Sequence, residues 1–309
     1  MKSIMYHYVR PTPKDLPYFR YLHIDDFRLQ LDYFQEHDRV LSKEDFLCCL
    51  KDRRPTPDGI ILTFDDGLRD HFDYVLPELK QRGLWGIFYI STATYTQRRL
   101  LDVHRIHVLL GARGGQALVK DLDKMIEPHM MSEEAIDEFG DLTYQYQNND
   151  EATNQFKRIL NYFISYEWRT YLLDRLMALY FPDEASLADD FYMTSSQLKS
   201  MHDQGMIIGS HSVSHRVLSK LSLDEQQQEV YASFAFLEDT VGPLANRTFC
   251  YPYGGFHTFT TETEQLLDAA NCEFSFNVEP RDILVSDLVS RRQALPRFDC
   301  NMFPHGKAR

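Results

Sequence analysis

Short apolar runs bounded by turn residues recur along the chain and predict buried β-strands. Each run is brief and rich in β-branched or aromatic side chains, which favour the extended conformation. The runs are Ser3–Tyr6, Ile60–Phe64, Trp85–Ile90, Ile207–Ser210, Thr248–Tyr251, Phe274–Asn277 and Ala294–Phe298.

Amphipathic patterns with helical spacing lie between most of these runs. They cover Asp25–His37, Tyr74–Arg82 and Ser222–Val241. Ser222 is followed three residues later by Glu225, the sequence pattern of a capping box at a helix start. Strands that alternate with helices predict parallel βαβ units, and therefore an open α/β sheet or a barrel. In such folds the reactive residues lie at the carboxyl ends of the strands.

Residues 96–193 break this alternation, because they contain helical patterns and no convincing strand. A segment of this length inside a compact domain must form its own structure. We therefore expect a barrel built from residues 1–95 and 194–309, with a helical insertion over 96–193 that narrows access to the site or forms a homo-oligomer contact. The helical patterns are Asp102–Leu110, Gln116–Met130, Ser132–Tyr146, Asn154–Phe163 and Tyr166–Leu179.

Composition and charge limit the partners of the protein. Of 309 residues, 43% are hydrophobic and 26% charged, as in globular domains, and the net charge is −13. An acidic surface argues against nucleic acid or anionic lipid as the main partner. The five cysteines are irregularly spaced without a CxxC pair, and no apolar run reaches the ~20 residues of a transmembrane helix. The first residues also lack the apolar core of a secretory signal, so we expect a cytoplasmic protein.

Two adjacent carboxylates, Asp65 and Asp66, end the apolar run Ile60–Phe64 within the sequence TFDDG. Carboxylates next to a buried strand are costly unless a cation or hydrogen bonds compensate them. Their side chains leave the backbone in different directions, so that one can bind a metal while the other faces a substrate. An Asp-Gly turn that caps a helix is the alternative interpretation.

Two histidines, His211 and His215, follow the run Ile207–Ser210 in the sequence HSVSH. Imidazoles four positions apart on a helical turn face the same way, as a shared metal requires. Paired surface histidines without a metal are the alternative. Together with one carboxylate they would form a facial site with open positions, suited to zinc or another divalent first-row metal.

TFDDG and HSVSH, with YPYGG at Tyr251–Gly255, resemble the three motifs of the polysaccharide deacetylase family, the NodB-homology or carbohydrate esterase type. The flanking segments ILTFDDGLRDHFDYVLPELKQRGLWGIFYI and LKSMHDQGMIIGSHSVSH are also similar to the family. The resemblance covers residues 1–95 and 194–299, about two-thirds of the chain. It implies a distorted (β/α)7-type barrel and metal-dependent hydrolysis of an N-acyl group.

By position in these motifs, the resemblance also implies roles for individual residues. Asp65 matches the catalytic base and Asp66 the carboxylate ligand of the metal. His211 and His215 match the histidine ligands. Tyr253 matches the residue whose backbone N–H helps to hold the oxyanion.

The chain departs from the usual family pattern in two places. The third motif often carries an arginine where this chain has Cys250, and we expect Arg297 to orient Asp65 instead, with a surface salt bridge as the alternative. The usual C-terminal motif of the family supplies a histidine that acts as general acid, and the segment around His305 is not a clear copy of that motif. The N-terminal strand resembles the branch in which the acid-bearing strand comes first, which makes His7 the general acid; a packed or capping histidine is the alternative.

The expected function is the metal-dependent removal of an N-acetyl group from an N-acylated sugar or a precursor of a surface glycan. Zn²⁺ is the favoured metal, and Co²⁺, Ni²⁺ and Mn²⁺ are alternatives. A deformylase or O-acetyl esterase that acts on a lipid- or nucleotide-linked sugar would use the same metal chemistry. A carbohydrate-binding protein without turnover is the alternative outside enzymes, although all the expected catalytic residues are present.

Overall fold

The computed structural model describes residues 1–52, 57–140, 143 and 149–309. They form two compact units, of which the first carries the β-sheet and the second is mainly helical. The second unit takes in a short N-terminal segment, Thr12–Arg20, which the sequence pattern does not assign to it. The first unit comprises Met1–Pro11, Tyr21–Gln97 and Asp189–Arg309, and the second comprises Thr12–Arg20 and Arg98–Ala188.

The first unit is built on a seven-stranded sheet with the order β8-β7-β6-β5-β4-β1-β9. Every pairing in it is parallel, and the sheet curls into a half-barrel. The distorted (β/α)7-type barrel predicted from the sequence is therefore confirmed. A separate parallel pair joins β2 to β3. The strands are β1 (Lys2–Tyr6), β2 (Val9–Arg10), β3 (Leu22–His23), β4 (Ile60–Phe64), β5 (Ile87–Ile90), β6 (Ile207–Ser210), β7 (Thr248–Cys250), β8 (Phe274–Phe276) and β9 (Phe298–Asp299).

The sheet strands form where the apolar runs predict them. Every residue of the central strands β4, β5 and β6 is buried, as an uninterrupted apolar run predicts. The last prediction, Ala294–Phe298, is wrong at its start. A 3₁₀ turn covers Arg292–Ala294, and only Phe298–Asp299 forms a strand. Pro296 lies in between and has no N–H to donate to a neighbouring strand.

Helices connect the strands of the first unit and make up most of the second. The capping box predicted at Ser222 is confirmed, since its side chain and that of Glu225 each accept the other's backbone N–H. The helices are α1 (Ile24–His37), α2 (Lys43–Asp52), α3 (Leu76–Gln81), α4 (Ala93–Thr96), α5 (Asp102–Arg113), α6 (Gly115–Leu122), α7 (Glu133–Phe139), α8 (Glu151–Arg158), α9 (Tyr166–Tyr180), α10 (Glu184–Phe191), α11 (Ser195–Asp203), α12 (Leu223–Val241), α13 (Thr261–Ala269) and α14 (Val285–Ser290).

The second unit corrects one helix prediction. The pattern over Gln116–Met130 predicts a single helix, but α6 ends at Leu122 and a 3₁₀ turn covers Pro128–Met130. Pro128 has no backbone N–H to donate and disfavours a helical conformation in the residue before it, so a single helix cannot run regularly through to Met130. The end of the predicted helix Ser132–Tyr146 lies outside the described residues.

Arg105 in α5 links two other helices of this unit. Its guanidinium lies 2.6 Å from Glu184 of α10 and 2.7 Å from Asp174 of α9, and only 3% of the residue is exposed.

Across the described ranges, no helix combines the length and apolar character needed to cross a bilayer. The five cysteines all lie within the described ranges, and none of them forms a disulfide bond.

Candidate active site

The predicted site residues gather at one edge of the sheet. His7 follows β1, Asp65 and Asp66 follow β4, and His211 follows β6. Cys250 is the last residue of β7. Because neighbouring strands are parallel, their carboxyl ends meet at the same edge, and residues distant in sequence become neighbours there.

The turns that leave these strands have strained backbones. Among the described residues, six non-glycine residues have positive φ, and four of them lie at the site. They are Asp66 (φ 81°), Ser212 (62°), His215 (55°) and Tyr253 (65°). This conformation is unfavourable for residues with a Cβ, and such residues concentrate at functional sites. The left-handed turns direct these side chains and amides inward.

Asp66, His211 and His215 form a buried group suited to a metal ion. Oδ1 of Asp66 lies 3.5 Å from Nε2 of His211 and 3.3 Å from Nε2 of His215. Each residue offers a ligand atom within 4.8 Å of the others. Ligands bound tetrahedrally at the usual zinc distances lie about 3.3 Å apart, so this donor set fits a divalent first-row metal.

A hydrogen bond orients His211 for this role. Its Nδ1 lies 2.7 Å from the carbonyl oxygen of Cys250, which can only accept, so Nδ1 carries the proton. The lone pair is then on Nε2, the atom that faces Asp66. Burial, and next the neighbouring His215, lower the pKa of His211 to about 4. The ring is therefore neutral at physiological pH, as a metal ligand must be.

A second group with metal-binding atoms, Asp65, His211 and Cys250, overlaps the first. Its cation position is already filled. Nη2 of Arg297 lies 2.8 Å from Oδ2 of Asp65 and 2.8 Å from Sγ of Cys250. The guanidinium thus takes the place that a metal would need, whereas the Asp66 group remains a candidate for a metal.

Asp65 and Arg297 form a bidentate ion pair in the interior. The two guanidinium nitrogens lie 2.9 and 2.8 Å from the two carboxylate oxygens, and Nη1 also donates to Thr63 Oγ1 at 3.1 Å. Only 1% of Arg297 is exposed, so the surface salt bridge considered for it is wrong. Burial alone would raise the pKa of Asp65, but Arg297 and, after it, the nearby imidazoles lower it. Asp65 is held as a carboxylate.

His7 lies on the open side of Asp65. Its Nε2 is 3.9 Å from Oδ2 of Asp65, and 38% of its side chain is exposed. It can therefore meet both the carboxylate and a substrate. The alternative histidine, His305, is exposed in the C-terminal tail, where the carbonyl of the adjacent Pro304 accepts a hydrogen bond from Gln30 of α1.

Tyr253 lies in a tight turn after β7. Its ring centroid is 5.0 Å from that of His215. The next residue, Gly254, donates its N–H to the carbonyl of Tyr251 at 3.1 Å and packs against Val278 so closely that a Cβ would lie 2.2 Å from a Val278 methyl group. The turn therefore requires glycine, and it fixes the backbone of Tyr253 beside His215.

Sequence reasoning missed Glu229 of α12, which holds the loop between the two histidines. Oε2 of Glu229 accepts the N–H groups of Val213 and Ser214, each at 2.8 Å, and Oε1 accepts the Ser214 hydroxyl. A signal was present, because Glu229 shares the buried face of α12 with Gln226 and Ser233. Polar side chains on a buried helix face require partners.

The fold and the residues at its strand ends define a family, and sequence comparison agrees. The family model described as Polysaccharide deacetylase matches residues 52–274. The chain belongs to the polysaccharide deacetylase family. No curated protein matches it significantly.

Solved structures with similar folds include a deacetylase, a de-N-acetylase and the protein IcaB. The Streptococcus pyogenes deacetylase PplD, solved in complex with acetate, aligns with a TM-score of 0.60 and 16% identity over 99% of this chain and 95% of its own. IcaB from Ammonifex degensii aligns with a TM-score of 0.51 and 16% identity over 89% of this chain and 82% of its own. A de-N-acetylase from Aggregatibacter actinomycetemcomitans gives a TM-score of 0.55 and 11% identity over 96% and 93%. At these identities, the likeness concerns the fold.

Proposed function

We propose that this protein is a metal-dependent N-deacetylase that removes the acetyl group from an N-acetylated sugar or glycan precursor. The observation that carries the proposal is that two adjacent carboxylates have different partners. Asp65 is paired with Arg297, whereas Asp66 faces the imidazoles of His211 and His215. Membership of the polysaccharide deacetylase family supports the same reaction class.

Asp66, His211 and His215 would hold the metal. A bound divalent ion would polarise the acyl carbonyl and lower the pKa of a water molecule, and Zn²⁺ is favoured by this donor set over Co²⁺, Ni²⁺ or Mn²⁺. Burial lowers the pKa of His211 and keeps its imidazole neutral, and the hydrogen bond to Cys250 selects the tautomer that can bind.

The other residues of the chain handle the proton transfers. Asp65, kept ionised by Arg297, accepts the proton of the attacking water. The backbone N–H of Tyr253 donates to the oxyanion, where such donors contribute on the order of 3–4 kcal/mol. His7 delivers a proton to the departing nitrogen, because an amide nitrogen leaves poorly unless it is protonated.

Two structural relatives agree with acetyl removal from nitrogen. The Streptococcus pyogenes deacetylase PplD was solved with acetate, and the Aggregatibacter protein is a de-N-acetylase. Acetate is the acid released when an acetamide is hydrolysed. We propose an acetamido substrate for this chain as well, because its own site residues are suited to the same hydrolysis.

The test is a hydrolysis assay on metal-depleted protein reloaded with each metal in turn, using N-acetylated sugars and oligosaccharides. We expect metal-dependent acetate release that falls about 10²–10⁴-fold in Asp65→Asn and His7→Ala. His305→Ala serves as the matched histidine control and should retain turnover. Turnover at the wild-type level in both site variants would refute the assignment.

The cytoplasmic location and an oligomer contact through residues 96–193 stay predictions. Cell fractionation tests the first. Light scattering of the full chain tests the second, since a homo-oligomer would give a multiple of the 36.4 kDa chain mass.

A further inference from the structure

A buried histidine that the proposed chemistry does not use, His71, lies in the segment that follows the carboxylate pair. His71 begins a π-helical turn, His71–Val75, and is completely buried. Its ring packs against the stacked rings of Phe64 and Phe88, with centroids 5.6 and 5.7 Å away. Single π-helical turns are rare and occur frequently at functional sites.

The polar contact of His71 is made with the main chain of the expected general acid. Nε2 of His71 lies 2.9 Å from the carbonyl oxygen of His7. A carbonyl only accepts, so Nε2 carries the hydrogen and donates it. Burial lowers the pKa of His71 to about 4, which keeps the ring a neutral donor at physiological pH.

This bond is one of several that fasten the end of β1 and the residues after it to the residues after β4. The N–H of Asp65 donates to the carbonyl of Tyr6 at 3.0 Å. Nε of Arg10 lies 2.6 Å from Oδ2 of Asp70. The segment 65–71 therefore carries the expected base and also holds the main chain that bears the expected acid.

We propose that His71 is a positioning residue for His7, acting through the His7 carbonyl. The inference rests on the proposed function, in which His7 donates the proton to the leaving nitrogen. The His7 side chain is 38% exposed and lies 3.9 Å from Asp65, so side-chain contacts alone constrain it weakly. The bond from His71 fixes the backbone from which the imidazole projects.

Two amide variants test this idea with matched polarity. In His71→Gln, the amide nitrogen reaches the position of the imidazole Nε2, whereas in His71→Asn it stops one bond short. We expect His71→Gln to keep kcat within about threefold, and His71→Asn to lose between about tenfold and 100-fold in kcat, with KM and metal content unchanged. Val75→Ala, in the same π-helical turn, is the control for lost core packing and should retain kcat.

A double-variant cycle with His7→Ala separates positioning from general damage. If His71 acts through His7, adding His71→Asn to His7→Ala causes no further loss of kcat. An additional loss of the same size in the His7→Ala background, or equal losses in the Gln and Asn variants, would overturn the proposal.

A spectroscopic readout keeps this inference separate from the proposed function. The ring resonances of His7, assigned in ¹³C,¹⁵N-labelled protein by their disappearance in His7→Ala, should shift or broaden in His71→Asn and stay in place in His71→Gln. Unchanged His7 resonances in His71→Asn count against positioning. If the wild-type protein showed no turnover, the deacetylase assignment would be refuted. The His7 resonances would still show whether His71 positions His7.

Discussion

Arg297 donates hydrogen bonds from Nη1 and Nη2 of its guanidinium to the two carboxylate oxygens of Asp65. The exposed fractions of the two side chains are 1% and 2%. The two residues are more than 200 positions apart: Asp65 follows β4, and Arg297 directly precedes β9. Because the pair is bidentate and buried, it fixes both the orientation and the ionisation of the carboxylate. Removing one partner leaves an uncompensated charge in the interior.

Replacing Arg297 with methionine should therefore damage both stability and catalysis. We expect a loss of about 3–5 kcal/mol in the free energy of unfolding, the usual cost of breaking a buried pair. The pKa of Asp65 should also rise, because burial is then no longer opposed by the guanidinium. The acidic limb of the pH–rate profile should move to higher pH.

Urea denaturation and the pH–rate profile measure these two effects. Arg309→Met is a suitable control, since Arg309 pairs with Asp26 at 2.9 Å but is 49% exposed. An exposed pair is worth at most about 1 kcal/mol. Equal losses of stability in both variants would show that the buried pair of Arg297 and Asp65 contributes no more to the free energy of unfolding than an exposed pair.

Asp66→Asn should abolish stoichiometric metal binding without unfolding the protein. The amide retains the shape of the carboxylate but not its charge, which a divalent cation between two imidazoles requires. Metal content after dialysis, measured by elemental analysis, gives the result directly. His37→Ala, at an exposed histidine, should bind metal like the wild type; a full equivalent of metal in Asp66→Asn would contradict the ligand assignment.

Much of the fold and several site residues could be predicted from sequence for a physical reason. A parallel sheet places every strand end on one edge, so finding TFDDG and HSVSH after two apolar runs was enough to bring Asp66 and His211 together. The period of the apolar residues also located the strands and the long helix α12.

Contacts between side chains from unrelated elements could not be predicted in this way. The sequence led to the expectation that Arg297 orients Asp65, but only the packing shows that it fills the space beside Cys250. Glu229 and His71 both form hydrogen bonds with the backbone of loops distant in sequence, and no local pattern encodes which loop each one meets. The segment Thr12–Arg20 joins the second unit through tertiary contacts that its own sequence does not reveal.

Glu229→Ala should weaken metal binding although Glu229 is not a ligand. The carboxylate accepts two backbone N–H groups of the loop that carries His215, so its loss frees that loop. Changes that disturb the support of metal ligands typically lower metal affinity about 10–100-fold. Competition titration with a chromophoric chelator measures the change. Glu238→Ala, on the same helix but paired with Arg247, is the control, and equal affinities in the two variants would exclude this support.

The stability of the protein should rise between pH 4 and 6.5, in part because of His71. Burial lowers the pKa of His71 from its usual 6.5 to about 4, so the unfolded chain binds the proton more readily in this interval. The free energy of unfolding then increases with pH, by up to roughly 3 kcal/mol from this residue. His71→Gln cannot titrate and should show a flatter curve in urea denaturation with chelator present. Parallel curves for the two proteins would mean that His71 is not buried as a neutral ring.

Introducing arginine at Cys250, where the third motif of the family often has it, should disrupt this protein. Cys250 is completely buried, and its Sγ lies 2.8 Å from Nη2 of Arg297, so a second guanidinium would meet both a filled space and a like charge. Cys250→Ser should fold and retain activity, whereas Cys250→Arg should lose several kcal/mol or fail to fold. Adding Arg297→Ala to Cys250→Arg should restore part of the stability, because one guanidinium then occupies the site beside Asp65. Thermal denaturation of the three variants decides the matter: a stable Cys250→Arg single variant would show that the two positions do not share one space.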